Sequence, residues 1–138
     1  MKRIVILTGS ELRHTFLRKA IALNRNIEVL RSYCEGTERQ LGSVIDPADE
    51  GASIQLQHVA ARTMSEEDFF GSFVRLTEDL SNPRTIPKGT INDSPIQEEI
   101  RRLSPELLVA YGCSIIQEPL LSAFKGRFLN VHLGLSPY

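Results

Sequence analysis

Residues 3–10 read Arg3-Ile4-Val5-Ile6-Leu7-Thr8-Gly9-Ser10, an apolar β-branched run that ends in a glycine turn. Such a run predicts a buried strand that enters a turn. Apolar residues then recur at helical spacing over residues 11–24, so we expect an amphipathic helix with Ser10 as its N-cap. A second apolar run at residues 27–33 completes a strand–helix–strand unit, and this unit predicts a parallel sheet.

The middle of the chain predicts a loop, two helices and a weaker strand. Residues 35–45 are polar and contain two glycines, which is typical of a loop. Asp46-Pro47 predicts one helix start, and the acidic segment 65–68 predicts another. The apolar face of the second helix is expected to carry Phe69, Phe73, Leu76 and Leu80. A third strand over residues 85–91 contains Pro87 and Gly89, which favours an edge position.

The last third of the chain continues the alternation of helices and strands. A helix capped by Asp93 or Ser94 precedes a buried strand at residues 107–111. A short helix at residues 119–124 precedes a final strand at residues 128–132. This order predicts an α/β fold with a Rossmann-like, doubly wound, mostly parallel sheet and helices on both faces.

The composition predicts one globular domain that spans residues 1–138. Hydrophobic residues make up 41% of the chain and charged residues 24%, and the net charge is -1. This balance gives no support for nucleic-acid binding, and no apolar run is long enough for a signal peptide or a membrane span. Cys34 and Cys113 lack metal-ligand spacing, and no dinucleotide or phosphate-loop glycine motif occurs. We therefore expect a reduced, cytoplasmic protein without a metal.

Asn130 and His132 are two residues apart on the final strand, so their side chains point to the same face. Ligands of open parallel sheets bind beyond the carboxyl ends of the strands, where residues 8–10 and 112–116 also lie. An amide and an imidazole at this edge can stabilise a developing oxyanion. The alternative is a strand end with two satisfied polar groups.

The motif around this pair resembles the signature of the folate-dependent formyltransferases. The motif consists of Asn130-Val131-His132 with Leu135 and Pro137 after it. Further pieces match upstream: Asn92-Asp93-Ser94-Pro95, residues 103–112, and residues 124–130. The family includes methionyl-tRNA formyltransferase, glycinamide ribonucleotide formyltransferase, sugar N-formyltransferases and formyltetrahydrofolate deformylase. The resemblance is dense from about residue 86 onward and loose before it.

The resemblance implies transfer of a formyl group from 10-formyltetrahydrofolate to a primary amine. Asn130 and His132 are implied as the catalytic residues that stabilise the tetrahedral oxyanion. The pterin site is implied at Tyr111, Gly112, Ile115 and Ile116, although the two isoleucines could equally serve the core. The family's catalytic Asp lies downstream of the His and has no counterpart in these residues. The domain is thus expected to be incomplete at its C-terminus, and this chain inactive alone.

The acceptor is expected to be a small amine such as an amino sugar, with a nucleotide-linked amino sugar as one form of it. Its site is predicted at Gly9, Ser10 and Arg13, where a helix N-terminus and basic side chains could hold a phosphate, although a solvated basic face is the simpler explanation. The first turn lacks the Gly/Ser/Asn-rich pattern of the glycinamide ribonucleotide enzymes. Methionyl-tRNA formyltransferase, with tRNA as partner, and the deformylase stay open as alternatives. So does a non-catalytic α/β binding module.

Overall fold

A computed structural model describes residues 1–36, 46, 48 and 50–132. The described residues contain a five-stranded parallel sheet in the order β3-β2-β1-β4-β5. The strands are β1 (Lys2–Thr8), β2 (Ile27–Glu35), β3 (Pro83–Ile86), β4 (Leu107–Tyr111) and β5 (Phe128–Val131). The α-helices are α1 (Leu12–Ala22), α2 (Ala52–Glu66), α3 (Ser72–Leu76), α4 (Ser94–Leu103) and α5 (Leu120–Ala123). The predicted Rossmann-like α/β fold is confirmed.

The core lies on both faces of the sheet, as a doubly wound fold requires. On one face, which we call the α4 face, strand residues such as Leu7 and Leu108 pack against Ile100 of α4 and Leu120 of α5. On the opposite face, called the α1 face, a smaller cluster packs against Ile21 of α1. The central strand β1 contributes to both clusters, because consecutive side chains of a strand point to opposite faces.

Several local predictions in the first half of the chain need correction. The N-cap of α1 is Glu11, whereas Ser10 lies one residue before it and is exposed. Asp46 accepts a hydrogen bond from the backbone N–H of Ala48 (2.9 Å), so it closes a local turn, and α2 begins only at Ala52. No new helix starts at residues 65–68, because α2 continues through a π-helical turn (Glu67–Gly71) into α3.

The expected apolar face of the second helix is also wrong in part. Phe69, Leu76 and Leu80 are exposed, whereas Phe70 and Phe73 contact Phe16 of α1. The π-helical turn adds a residue to the helical ladder, which rotates the side chains away from the predicted 3.6-residue spacing.

The two outer strands differ from their predicted limits or positions. The third strand does lie at an edge, but it covers Pro83–Ile86, and a 3-10 turn (Thr90–Asn92) occupies the predicted continuation. The final strand β5 ends at Val131, one residue before its predicted limit, and within the described part of the chain it pairs with β4 alone. Most of the predicted 35–45 loop, Pro47, and the motif residues Leu135 and Pro137 lie outside the described residues. No helix among those described is both long and apolar enough to cross a bilayer.

Candidate functional site

The Asn-x-His pair lies at the carboxyl end of β5, on the exposed rim of the sheet. Asn130 is in register with Ala110 of β4, whose side chain belongs to the core of the α4 face. By strand alternation Asn130 shares that face, and His132, directly after the strand, follows the same direction. Both residues are exposed, so neither is sealed within apolar packing. A ligand above the sheet could therefore reach both.

The loop after β4 reaches the same edge and carries three of the predicted pterin-site residues. Gly112 adopts a left-handed backbone conformation (φ 68°), which favours glycine. Ile115 is 85% exposed, while Ile116 packs partly against the core of the α4 face. The structure therefore separates the two isoleucines: Ile116 serves the core, and Ile115 offers a free apolar side chain at the rim.

A buried carboxylate that sequence reasoning missed holds this loop. Glu35, the last residue of β2, is fully buried. Its side chain accepts a hydrogen bond from the backbone N–H of Ser114 (2.6 Å), and Lys88 lies 3.3 Å from the same carboxylate. Burial alone would raise the pKa of Glu35, but the hydrogen bond from Ser114 and the charge of Lys88 lower it below its ordinary value. The carboxylate is therefore ionised at neutral pH.

Asn92 holds the other end of the same loop. Its side-chain amide donates to the carbonyl of Ile115 (2.9 Å), and its amide oxygen accepts from the backbone N–H of Gln117 (2.8 Å). This residue was part of the sequence resemblance, although no role was predicted for it. The loop at residues 112–117 is thus fixed by side chains from two other segments of the chain.

His14 fills the space between the ends of β1 and β4. Its ring meets Tyr111 edge-on, with ring centroids 4.7 Å apart, and its Nδ1 accepts a hydrogen bond from the backbone N–H of Glu11 (3.2 Å). A side chain at Gly9 or Gly112 would collide with this ring. Burial, with a smaller contribution from the charge of Arg13, lowers the pKa of His14 to about 4. The imidazole is therefore neutral near pH 7 and provides no positive charge for an anion.

The predicted anion-binding residue Arg13 is already engaged with two carboxylates. Its guanidinium pairs with Glu66 of α2 at 2.6 Å and also with Glu11. Burial alone would lower the pKa of Arg13, but hydrogen bonding and charge from Glu66 and Glu11 raise it above the ordinary value. Arg18 is likewise paired, with Asp79 at 2.9 Å. A phosphate at this helix end would have to compete with these internal ion pairs.

A cavity of about 420 Å³ lies on the opposite side of the sheet from Asn130. Tyr111 and Val131, which are in register on β4 and β5, line it together with Phe16 and Phe70. Tyr111 was predicted to contribute to the pterin site, but its ring faces this cavity on the α1 face. Only its backbone, next to Gly112, borders the rim where Asn130 and His132 lie.

Two solved structures have a similar fold. Phosphoribosylglycinamide formyltransferase from Anaplasma phagocytophilum matches with a TM-score of 0.54 and 12% identity, over 99% of this chain and 52% of that one. Glycinamide ribonucleotide transformylase 1 from Symbiobacterium toebii matches with a TM-score of 0.53 and 17% identity, over 99% and 54%. This chain shares its fold with these two proteins. This chain spans about half the length of those proteins.

The likeness is structural, and at these identities it shows the fold alone. No protein-family profile matches the chain, and no curated protein sequence matches it. The roles of Asn130 and His132 therefore stay predictions from the sequence motif. The signal that could have revealed Glu35 is a carboxylate at the carboxyl end of a buried strand. The sequence analysis instead placed this residue at the start of a loop.

Proposed function

We propose that this chain belongs to a folate-dependent formyltransferase domain, which transfers a formyl group from 10-formyltetrahydrofolate to a primary amine. The observation that carries the proposal is the placement of Asn130 and His132. Both are exposed at the carboxyl edge of the sheet, beside the held loop at residues 112–117. Formyltransferase names on structures of the same fold support the general reaction class.

The chemistry requires a hydrogen-bond donor for the oxygen of the formyl group. The acceptor nitrogen attacks the formyl carbon, and the carbonyl electron pair moves onto oxygen to give a tetrahedral oxyanion. The side-chain amide of Asn130 and the imidazole of His132 donate to that oxygen. When the C–N10 bond breaks, the acceptor's proton passes to N10 of the folate, and His132 assists this transfer. The products are a formamide and tetrahydrofolate.

The rim of the α4 face suits a flat heterocycle such as the pterin of the formyl donor. The exposed side chain of Ile115 can pack on one face of the ring, and the backbone of residues 112–114 borders it. Because Tyr111 turns to the opposite face, it contributes through its backbone rather than through its ring. No metal takes part in the proposed reaction.

The acceptor is proposed to be an amino sugar or a similar small amine that approaches past Gly9 and Ser10. Methionyl-tRNA formyltransferase and formyltetrahydrofolate deformylase are the alternatives within this chemistry, and a non-catalytic α/β binding module is the alternative outside it. Since the charge of Arg13 is matched by Glu11 and Glu66, an uncharged or weakly anionic acceptor fits this edge better than a phosphate.

The proposal is tested with the longest natural form of the protein, 10-formyltetrahydrofolate and a panel of acceptors. The panel contains amino sugars, nucleotide-linked amino sugars, methionyl-tRNA and water alone, and release of tetrahydrofolate is followed by absorbance. We expect transfer to an amino sugar, and a loss of about a hundredfold to a thousandfold in kcat on Asn130→Ala. Asn26→Ala, an exposed asparagine just before β2, is the matched control and should keep full activity.

Folate release with water alone would identify a deformylase instead. Absence of both turnover and folate binding in the longest form would leave the non-catalytic binding module.

A further inference from the structure

Glu35 joins three segments of the chain at the ligand edge of the sheet. One carboxylate oxygen accepts from the backbone N–H of Gly89 (3.0 Å), with Ile91 at 3.4 Å. The other accepts from Ser114 (2.6 Å) and meets Lys88 (3.3 Å). We call these residues the Glu35 cluster: Glu35, Lys88, Gly89, Ile91 and Ser114. The carboxylate therefore ties the end of β2 to the turn after β3 and to the loop after β4.

The Glu35 cluster lies on the same face of the sheet as the candidate catalytic pair. Tyr33, two residues before Glu35, belongs to the core of the α4 face, so strand alternation directs Glu35 to that face. Asn130 reaches it from β5 through its register with Ala110. The loop that Glu35 holds thus lies between the carboxylate and the catalytic pair in the order of the strands.

We infer that Glu35 is a positioning residue for the folate: its buried carboxylate sets the backbone of the 112–117 loop against which the pterin ring packs. The inference rests on the proposed function. It also goes beyond it, because Glu35 touches neither the reacting atoms nor the acceptor. A buried anion with several donors is costly to disturb, and this keeps the loop in one conformation.

Glu35→Gln tests the inference with little change in volume. A glutamine has a single acceptor oxygen, so its amide N–H₂ must face either Ser114 or the turn at Gly89, where only donors are present. One of the two attachments is therefore lost. We expect the affinity for tetrahydrofolate to fall about tenfold to a hundredfold, whereas the KM for the acceptor changes less than threefold.

The matched control is Asp79→Asn. Asp79 is also a largely buried carboxylate that accepts a backbone hydrogen bond, from Ser81 (3.1 Å), and pairs with Arg18. It lies in the segment before β3, away from the carboxyl ends of the strands. Asp79→Asn should lower the melting temperature and leave the folate affinity unchanged.

Two measurements separate failure of this inference from failure of the proposed function. Hydrogen exchange of the amides at residues 112–117 reports the loop without any ligand, and Glu35→Gln should accelerate it while Asp79→Asn does not. If the wild-type protein binds tetrahydrofolate and Glu35→Gln binds it equally well, the inference is overturned and the proposed function stands. If the wild-type protein in its longest form binds no folate, the proposed function is overturned and the folate role of Glu35 with it.

Discussion

The imidazole of His14 explains why positions 9 and 112 are glycine. It also accounts for part of the expected pH dependence of the free energy of unfolding. His14 is 3% exposed, and burial lowers the pKa of its imidazole from 6.5 in an unfolded chain to about 4 in the fold. Above about pH 6.5 the imidazole is neutral in both the folded and the unfolded chain, so its full contribution to the free energy of unfolding is present. As the pH falls from 6.5 towards 4, the unfolded chain binds a proton that the native chain does not, so the free energy of unfolding decreases.

We expect this decrease to be on the order of 3 kcal/mol or less, because each pKa unit corresponds to about 1.4 kcal/mol. Urea unfolding at half-unit steps between pH 4 and 7 measures it. His14→Gln should be less stable at pH 7 and should show a flatter slope between pH 6.5 and 4. Gln57→Ala, at an exposed and non-titrating position on α2, should keep the wild-type slope. If His14→Gln left the slope of the free energy of unfolding against pH unchanged, His14 would not be the source of this pH dependence.

Gly112 is required for a second reason besides its backbone conformation. Its φ of 68° strains any other residue, and an added Cβ would collide with Nε2 of His14. Gly112→Ala should therefore cost about 3 kcal/mol, combining backbone strain with a steric clash. Gly126 has a similar φ of 73° but open space around it, so Gly126→Ala should cost only about 1 kcal/mol. Equal losses in thermal unfolding would show that the ring adapts at little cost.

At the scale of the elements, the contact between α1 and the helical segment after α2 depends on three aromatic rings. Phe16 stacks on Phe70 with ring centroids 4.4 Å apart and meets Phe73 edge-on at 5.0 Å. Phe70→Ala should cost about 2 kcal/mol in the free energy of unfolding, because it removes a partly buried ring and its stacking on Phe16. Phe69→Ala, one residue away but 80% exposed, should change stability by less than about 0.5 kcal/mol.

The same helical segment illustrates where prediction from sequence failed. A regular 3.6-residue spacing selects Phe69 and Leu76 as the apolar face, yet both point to solvent. The π-helical turn shifts the register, so that Phe70 and Phe73, rather than Phe69 and Leu76, pack against Phe16 of α1. The strand at residues 107–111 was predicted with correct limits, because its apolar run is short, continuous and bounded by turn residues.

For the whole molecule, the position of β5 at the edge of the described sheet has a consequence for association. Leu129 on this strand is 52% exposed, and the backbone on the outer side of β5 pairs with no strand in the described ranges. Exposed edges of this kind pair with other chains. We expect the 138-residue chain to self-associate at tens of micromolar, as measured by light scattering. Leu129→Lys should reduce this association without changing the melting temperature by more than about 2 °C. A monodisperse wild-type monomer would contradict the prediction.

The fold class of this protein and the location of its candidate site were predictable from the sequence alone. The alternation of short apolar runs with amphipathic stretches is a local pattern, and it was sufficient for the α/β class, the parallel sheet and the edge where Asn130 and His132 lie. Local patterns report which segments form strands and helices, because side-chain periodicity depends on the backbone geometry of each element.

Only the tertiary structure decided which distant residues meet at that edge. The donors that surround Glu35 come from residues 88–91 and from Ser114, and the ion pairs of Arg13 include one to Glu66 on another helix. The strand register decided that Tyr111 faces the α1 cavity while Asn130 faces the opposite side. These outcomes depend on packing between segments far apart in the chain, and such packing leaves no periodic signal in the sequence.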